Sequence, residues 1–200
     1  MENYRELAPN QMHGEWIIEV PPDFNLENLE EFAELLDKVL SEALKECSPA
    51  IKGLHGVVKF LDSIDATPPP NMTPAGRATF FTSSDGKEHL ILIRISKEAL
   101  QLACKLSPYI PVSHQALQIC LHEIFESDYH LNKDSKISIY NPKHPKYRNS
   151  DQEVEANRKA LATINKTLGT NYELGGSIEG FLELPRKERL KKMGLSKVSN

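Results

Sequence analysis

The residues best placed to do chemistry in this chain stand together in the run Leu121-His122-Glu123-Ile124-Phe125-Glu126-Ser127-Asp128-Tyr129-His130. Residues four apart on an α-helix lie about one turn apart on the same face, so His122, Glu126 and His130 make one polar stripe. Imidazole and carboxylate are both ordinary zinc ligands, and such a stripe can hold a divalent metal. Glu123, next to the first histidine, stands where a general base for a metal-activated water belongs. The run opens like the helical pattern His-Glu-x-x-His, whose two histidines share one metal, but Glu126 occupies the place of the second histidine. A polar helix face turned to water would show the same residues, and that reading stands beside the metal reading.

The elements that must position these side chains follow from periodicity and caps. Leu117, Cys120, Leu121, Ile124 and Phe125 give the motif helix a broad apolar face, Ser113 is its expected cap, and Gln118, His122, Glu126 and His130 lie opposite. Ser96 caps a preceding helix that runs to about 106 and stops at Ser107-Pro108. Before it, residues 77–82 and 89–95 are β-rich runs around Asp85-Gly86, a strong hairpin signal, and the second run is apolar enough for a central strand.

Nearer the start, residues 15–20 form a short β-prone run stopped by Pro21-Pro22, which suits an edge strand that begins the sheet. Leu29, Phe32, Leu36, Val39, Leu40, Ala43 and Leu44 recur at helical intervals and predict an amphipathic helix over 26–46 with an acidic, solvated outer face. Residues 57–61 are a further strand or the start of a short helix. Four prolines within 66–74 exclude regular structure there, and the stretch reads as a long surface loop. After the motif helix, Ser150-Asp151-Gln152-Glu153 fits a capping box for a helix with Val154, Leu161, Ile164 and Leu168 on one stripe and Gly169 as terminator. A short basic helix is expected over 184–195, carrying Arg186, Lys187, Arg189, Lys191 and Lys192.

Composition narrows the class. The chain has 200 residues, 40% hydrophobic and 26% charged, with a net charge of −4, which describes a globular protein with no bulk affinity for nucleic acid. Cys47, Cys104 and Cys120 are odd in number and lie in apolar helical contexts, which points to reduced thiols in a cytoplasm. No run approaches a membrane span or a leader peptide, so a cytoplasmic protein without membrane contact is expected.

With the motif helix and the later string Glu153-Val154-Glu155-Ala156-Asn157-Arg158 in place, the chain resembles the zincin-like metallopeptidases of the ImmA/IrrE type. There a helix with His-Glu-x-x-His is followed, after a loop, by a helix supplying a glutamate ligand, and a β-hairpin precedes both. The resemblance spans roughly residues 75–170. It implies His122 as a metal ligand, Glu123 as general base and Glu153 as the remaining carboxylate ligand. From the residues themselves, Glu153 has a competing task in its capping box and Glu155 is an alternative ligand. The rival sets are His122-Glu126-Glu153 and His122-His130-Glu153. The implied cofactor is zinc, and a site with one imidazole and two carboxylates also admits manganese or iron.

Together these readings predict one α+β domain over 1–200, in which a small, mainly antiparallel sheet packs against several helices. The expected function is a metal-dependent hydrolase acting on a peptide or protein. The alternatives are a non-catalytic zincin-like binding or regulatory module, and a metal-free interaction protein working through the proline-rich loop and the basic tail.

Overall fold

The computed structural model describes residues 3–10, 14–20, 29–48, 55–62, 64, 75–82, 84, 89–132 and 151–173. Five strands form one sheet: β1 (Asn3–Asn10), β2 (Gly14–Val20), β3 (His55–Leu61), β4 (Gly76–Thr82) and β5 (His89–Ser96). Four helices accompany them: α1 (Leu29–Glu46), α2 (Lys97–Leu106), α3 (Val112–Asn132) and α4 (Asp151–Leu168). The class is α+β, with the strand order β1-β2-β3-β5-β4.

The sheet is mixed rather than mainly antiparallel. β2, β3 and β5 run parallel in the middle, and β1 and β4 are antiparallel strands at the two edges. The physical reason lies in the connections. α1 stands between β2 and β3, and a helix crossover returns the chain in the same direction, whereas a short hairpin reverses it. The hairpin of β4 and β5 then inserts β5 beside β3, so β5 is an interior strand as its apolar run predicts. The turn at Asp85-Gly86, the proline-rich stretch, the capping box at Ser150 and the basic segment 184–195 lie outside the described residues. Because β3 pairs with β5 across the proline-rich stretch, that stretch does not divide two cores.

Two further expectations change. β2 is not the edge strand, because β1 pairs along its outer side from Asn3 opposite Val20 to Leu7 opposite Trp16. Residues 3–10 have no apolar alternation, and their strand comes from pairing rather than from local preference. α3 begins at Val112, so Ser113 lies inside its first turn instead of capping it. Ser96 does cap α2, its hydroxyl accepting the Ala99 N–H at 3.2 Å.

The core follows from the alternation of the strands. Trp16, Ile18, Val58, Phe60, Ile93 and Ile95 are buried and meet Phe32, Leu36 and Leu40 of α1 and Leu117, Leu121 and Ile124 of α3 in one cluster. Each fully buried side chain of this size contributes about 1.5–3 kcal/mol relative to exposure. Trp16 lies flat over Gly56, where any Cβ would come within 2.3 Å of its ring carbons. The Phe32 and Phe60 rings meet edge to face with centroids 5.8 Å apart.

α3 is the central helix, packed against α1, α2, α4, β4 and β5. α4 packs against α3 and α1 and buries the small residues Ala156 and Ala160. α4 is also tied to α1 by the Lys166–Glu42 ion pair. Lys166 and Lys45 together hold the Glu42 carboxyl down at about 2. After Gly169, in the left-handed region at φ 68, the Asn165 side chain binds Tyr172 through both its amide nitrogen and its oxygen, each at 2.8 Å. The Tyr172 hydroxyl in turn meets His114 Nδ1 at 2.8 Å, fastening the chain to the start of α3.

No disulfide joins Cys47, Cys104 and Cys120. Among the described residues no helix is long and apolar enough to cross a membrane.

Candidate metal centre

The polar side of α3 does not face water. Glu123 is 7% exposed and Glu126 9%, and β4 and α4 cover the helix where a solvated face would need open surface. Both sides of α3 are therefore interior, and its carboxylates are buried groups that need satisfaction from the protein or from an ion.

His122, Glu123 and Glu126 converge. One nitrogen of His122 and one oxygen of each glutamate all lie within 4.8 Å of one another. His122 Nε2 and Glu126 Oε2 are 4.0 Å apart across one helical turn, as the i, i+4 spacing requires.

Glu123 points toward the sheet edge. Its Oε2 accepts the backbone N–H of Ala78 at 2.7 Å. The same carboxylate fits over Gly76, where an added Cβ would lie 2.8 Å from Oε1 and 2.5 Å from Cγ2 of Ile119. β4 can approach α3 this closely only because residue 76 has no side chain. One turn on, Ser127 Oγ donates to the Glu123 carbonyl at 2.7 Å. Such a bond bends a helix slightly.

His122 faces α4. Burial pushes its pKa below the ordinary 6.5, while the nearby Glu126 carboxylate and a hydrogen bond with the Asn157 side chain act in the opposite direction without reversing it. The imidazole is therefore neutral near pH 7, the form in which histidine binds a metal. Asn157, in the string Glu153-Val154-Glu155-Ala156-Asn157-Arg158, has no chemical role that the sequence alone assigns. Its signal was its place one turn after Glu153 on the same helix face.

Of the residues expected at the site, His122, Glu123 and Glu126 are brought together. His130 and Glu153 have helical backbones, but their side chains lie outside the described residues. The alternative ligand Glu155 is engaged elsewhere, accepting from Arg158 at 2.7 and 3.0 Å on the outside of α4. Gly76 and Ala78 were not anticipated. They act through the fold and carry no chemical signature in the sequence.

Asp128 is buried as well, but it turns to the chain just past the end of α1, where its Oδ1 accepts the Ser48 N–H at 2.9 Å. Cys120, one turn before Ile124, is fully buried, and burial pushes its thiol far up, with Glu123 adding to the rise. It is not part of the His122, Glu123 and Glu126 cluster, and a thiol held protonated in this way is a poor nucleophile.

Chemically, one neutral imidazole and two carboxylates make a hard, mixed donor set with a combined charge of −2 when both glutamates are ionised. A single divalent cation would balance that charge, so the residues fit such an ion. Comparison with family models, with curated proteins and with solved structures returns no match.

Proposed function

We propose that this chain is a metal-dependent hydrolase on a zincin-like frame, acting on peptide or protein carbonyls. The observation that carries this reading is the convergence of His122, Glu123 and Glu126 in the interior between α3, α4 and β4. Two adjacent carboxylates and a neutral imidazole in a buried place are costly for stability alone, and become favourable around a divalent ion.

His122 and Glu126 would hold the ion, with Glu153 one turn before Asn157 as a further ligand. When bound, the ion supplies Lewis acidity and lowers the pKa of water. Asn157 lies beside the His122 ring from α4 and would help to hold it in place. Glu123, held at the edge of β4, takes up a proton from the attacking water. Zinc is the ion implied by the resemblance, and the two carboxylates also suit manganese or iron.

The second reading is a metal-holding but non-catalytic module, favoured by one observation: Glu123 Oε2 is occupied by the Ala78 N–H. In that case Glu123 is a third ligand and the ion staples α3 to its surroundings.

Metal analysis of the purified protein, followed by peptide hydrolysis by wild type and Glu123→Gln, separates the two. Bound metal with hydrolysis lost in Glu123→Gln supports the hydrolase. Bound metal with no hydrolysis in either protein supports the module, and absence of metal after reconstitution with zinc, manganese and iron removes both.

A further inference from the structure

All four described helices contribute to one buried core, and the strand residues in that core alternate with a second set that lies outside it. Ile17, Val57 and Leu92 are in register on that second face, and so are Leu90 and Phe81. Of the four large hydrophobic residues that are exposed among those described, three lie here: Ile17 at 37%, Leu90 at 39% and Phe81 at 48%. Among the described residues no helix packs over this face, and exposed apolar side chains grouped on one sheet face are suited to a covering partner.

The charges on this face are unevenly matched. Glu19, Lys59, Arg94 and Arg77 form one row across β2, β3, β5 and β4. Glu19 and Lys59 pair at 2.5 Å. On the other half, Arg77 stands directly opposite Arg94 on the antiparallel strand, and like charges in that position destabilise a sheet. Arg94 donates to Thr79 Oγ1 at 2.9 Å, and among the described residues no carboxylate pairs with either arginine. The β4–β5 half therefore offers two guanidinium groups beside an apolar strip of Phe81, Leu90 and Leu92.

We infer that this half of the outer face is a docking surface for an amphipathic helix of a partner protein, with its apolar side on Phe81, Leu90 and Leu92 and carboxylates along one flank on Arg77 and Arg94. Charge complementarity selects the occupant. A second copy is disfavoured, since a two-fold contact sets a patch against itself and would bring the arginine pair onto another arginine pair. Nucleic acid is disfavoured by the aliphatic lining and by the net charge of −4, since nucleic-acid surfaces are basic with several stacking aromatics. The inference stands apart from the metal centre, which is built on the opposite face.

The test uses the full chain and two synthetic helical peptides of about five turns. Both carry leucines on one face, one with glutamates along a flank and the other with lysines in the same places. Fluorescence anisotropy is expected to show the acidic peptide binding at least ~10-fold tighter than the basic one, with the preference falling as salt rises. Arg77→Glu should abolish that preference, and Phe81→Ser should weaken the acidic peptide with the preference for charge retained. Unchanged circular dichroism and metal content in both exposed-site variants keep the readout on the surface. Equal binding of the two peptides, no binding up to millimolar concentration, binding of a single-stranded oligonucleotide in place of the peptide, or a self-association lost in Phe81→Ser would each overturn the inference.

Discussion

The Glu123 carboxylate accepts the Ala78 backbone N–H at 2.7 Å across 45 residues of sequence, so the central helix and the edge of the sheet meet at the residue next to the candidate ligand His122. That N–H is directed to α3 and takes no part in the ladder with β5. Glu123→Gln keeps an acceptor oxygen there and should leave stability nearly unchanged. Glu123→Ala leaves the donor without an acceptor in a buried place and should cost about 1–3 kcal/mol. Urea unfolding of the two variants checks the difference. If the centre hydrolyses peptides, Glu123→Gln should also lose about a hundred- to ten-thousand-fold in rate, the usual weight of a general base.

Gly76→Ala tests the close approach from the other side. Its new Cβ would stand 2.5 Å from Ile119 and 2.8 Å from Glu123, so β4 must move outward or Glu123 must rotate. Overpacking of this kind costs about 1–3 kcal/mol. A thermal melt measures that cost, and a parallel titration with zinc or manganese should show weaker binding. A substitution of no effect on either would mean that β4 does not hold Glu123 in place.

Glu126→His exchanges a hard carboxylate for the imidazole of the full motif, and zinc affinity should rise by about tenfold or more while manganese affinity falls. His122→Ala should lose both. Competition titration against a chromophoric chelator reads these affinities. Because the His130 side chain is not described, His130→Ala serves as the companion variant. Loss of metal in it alone would move the centre one turn along α3.

Stability should fall as the solution is acidified below about pH 6.5. His114 and His122 both have folded-state pKa values lowered from 6.5, chiefly through burial. The unfolded chain therefore binds more protons than the folded one below that pH. Stability is fully present above 6.5 and declines as pH drops toward the lowered values. Denaturant midpoints of the metal-free protein across pH 5–8 measure the slope, and His114→Gln should flatten it in part.

Elements set by local pattern were legible in the sequence: α1 from its three- and four-residue spacing, α2 from Ser96, the hairpin from its two β-rich runs. β1 was not, because its strand is imposed by β2. The parallel centre was not either, although α1 between two strands is the mark of a crossover. At the site, His122 and Glu126 were legible through the helical repeat. Glu123 was placed in the cluster by its neighbour relation, but its contact with Ala78 depends on how β4 docks, which no spacing within α3 encodes. Asn157 was visible as a letter and not as a partner, since its meaning arises only where α4 crosses α3.

α3 packs against three helices and two strands, and this has a consequence for how the candidate centre opens. Helices and strands with buried amides exchange their hydrogens only when the whole fold opens, while edges and termini open locally at far lower free energy. Amides around Leu117 to Phe125 should belong to the slowest-exchanging set. The candidate ligands on α3 therefore belong to the part of the fold expected to open last, and β4, an edge strand, to a part expected to open earlier. Hydrogen exchange at β4 faster than at α3 would make the sheet edge, and not the helix, the side from which the cluster is reached.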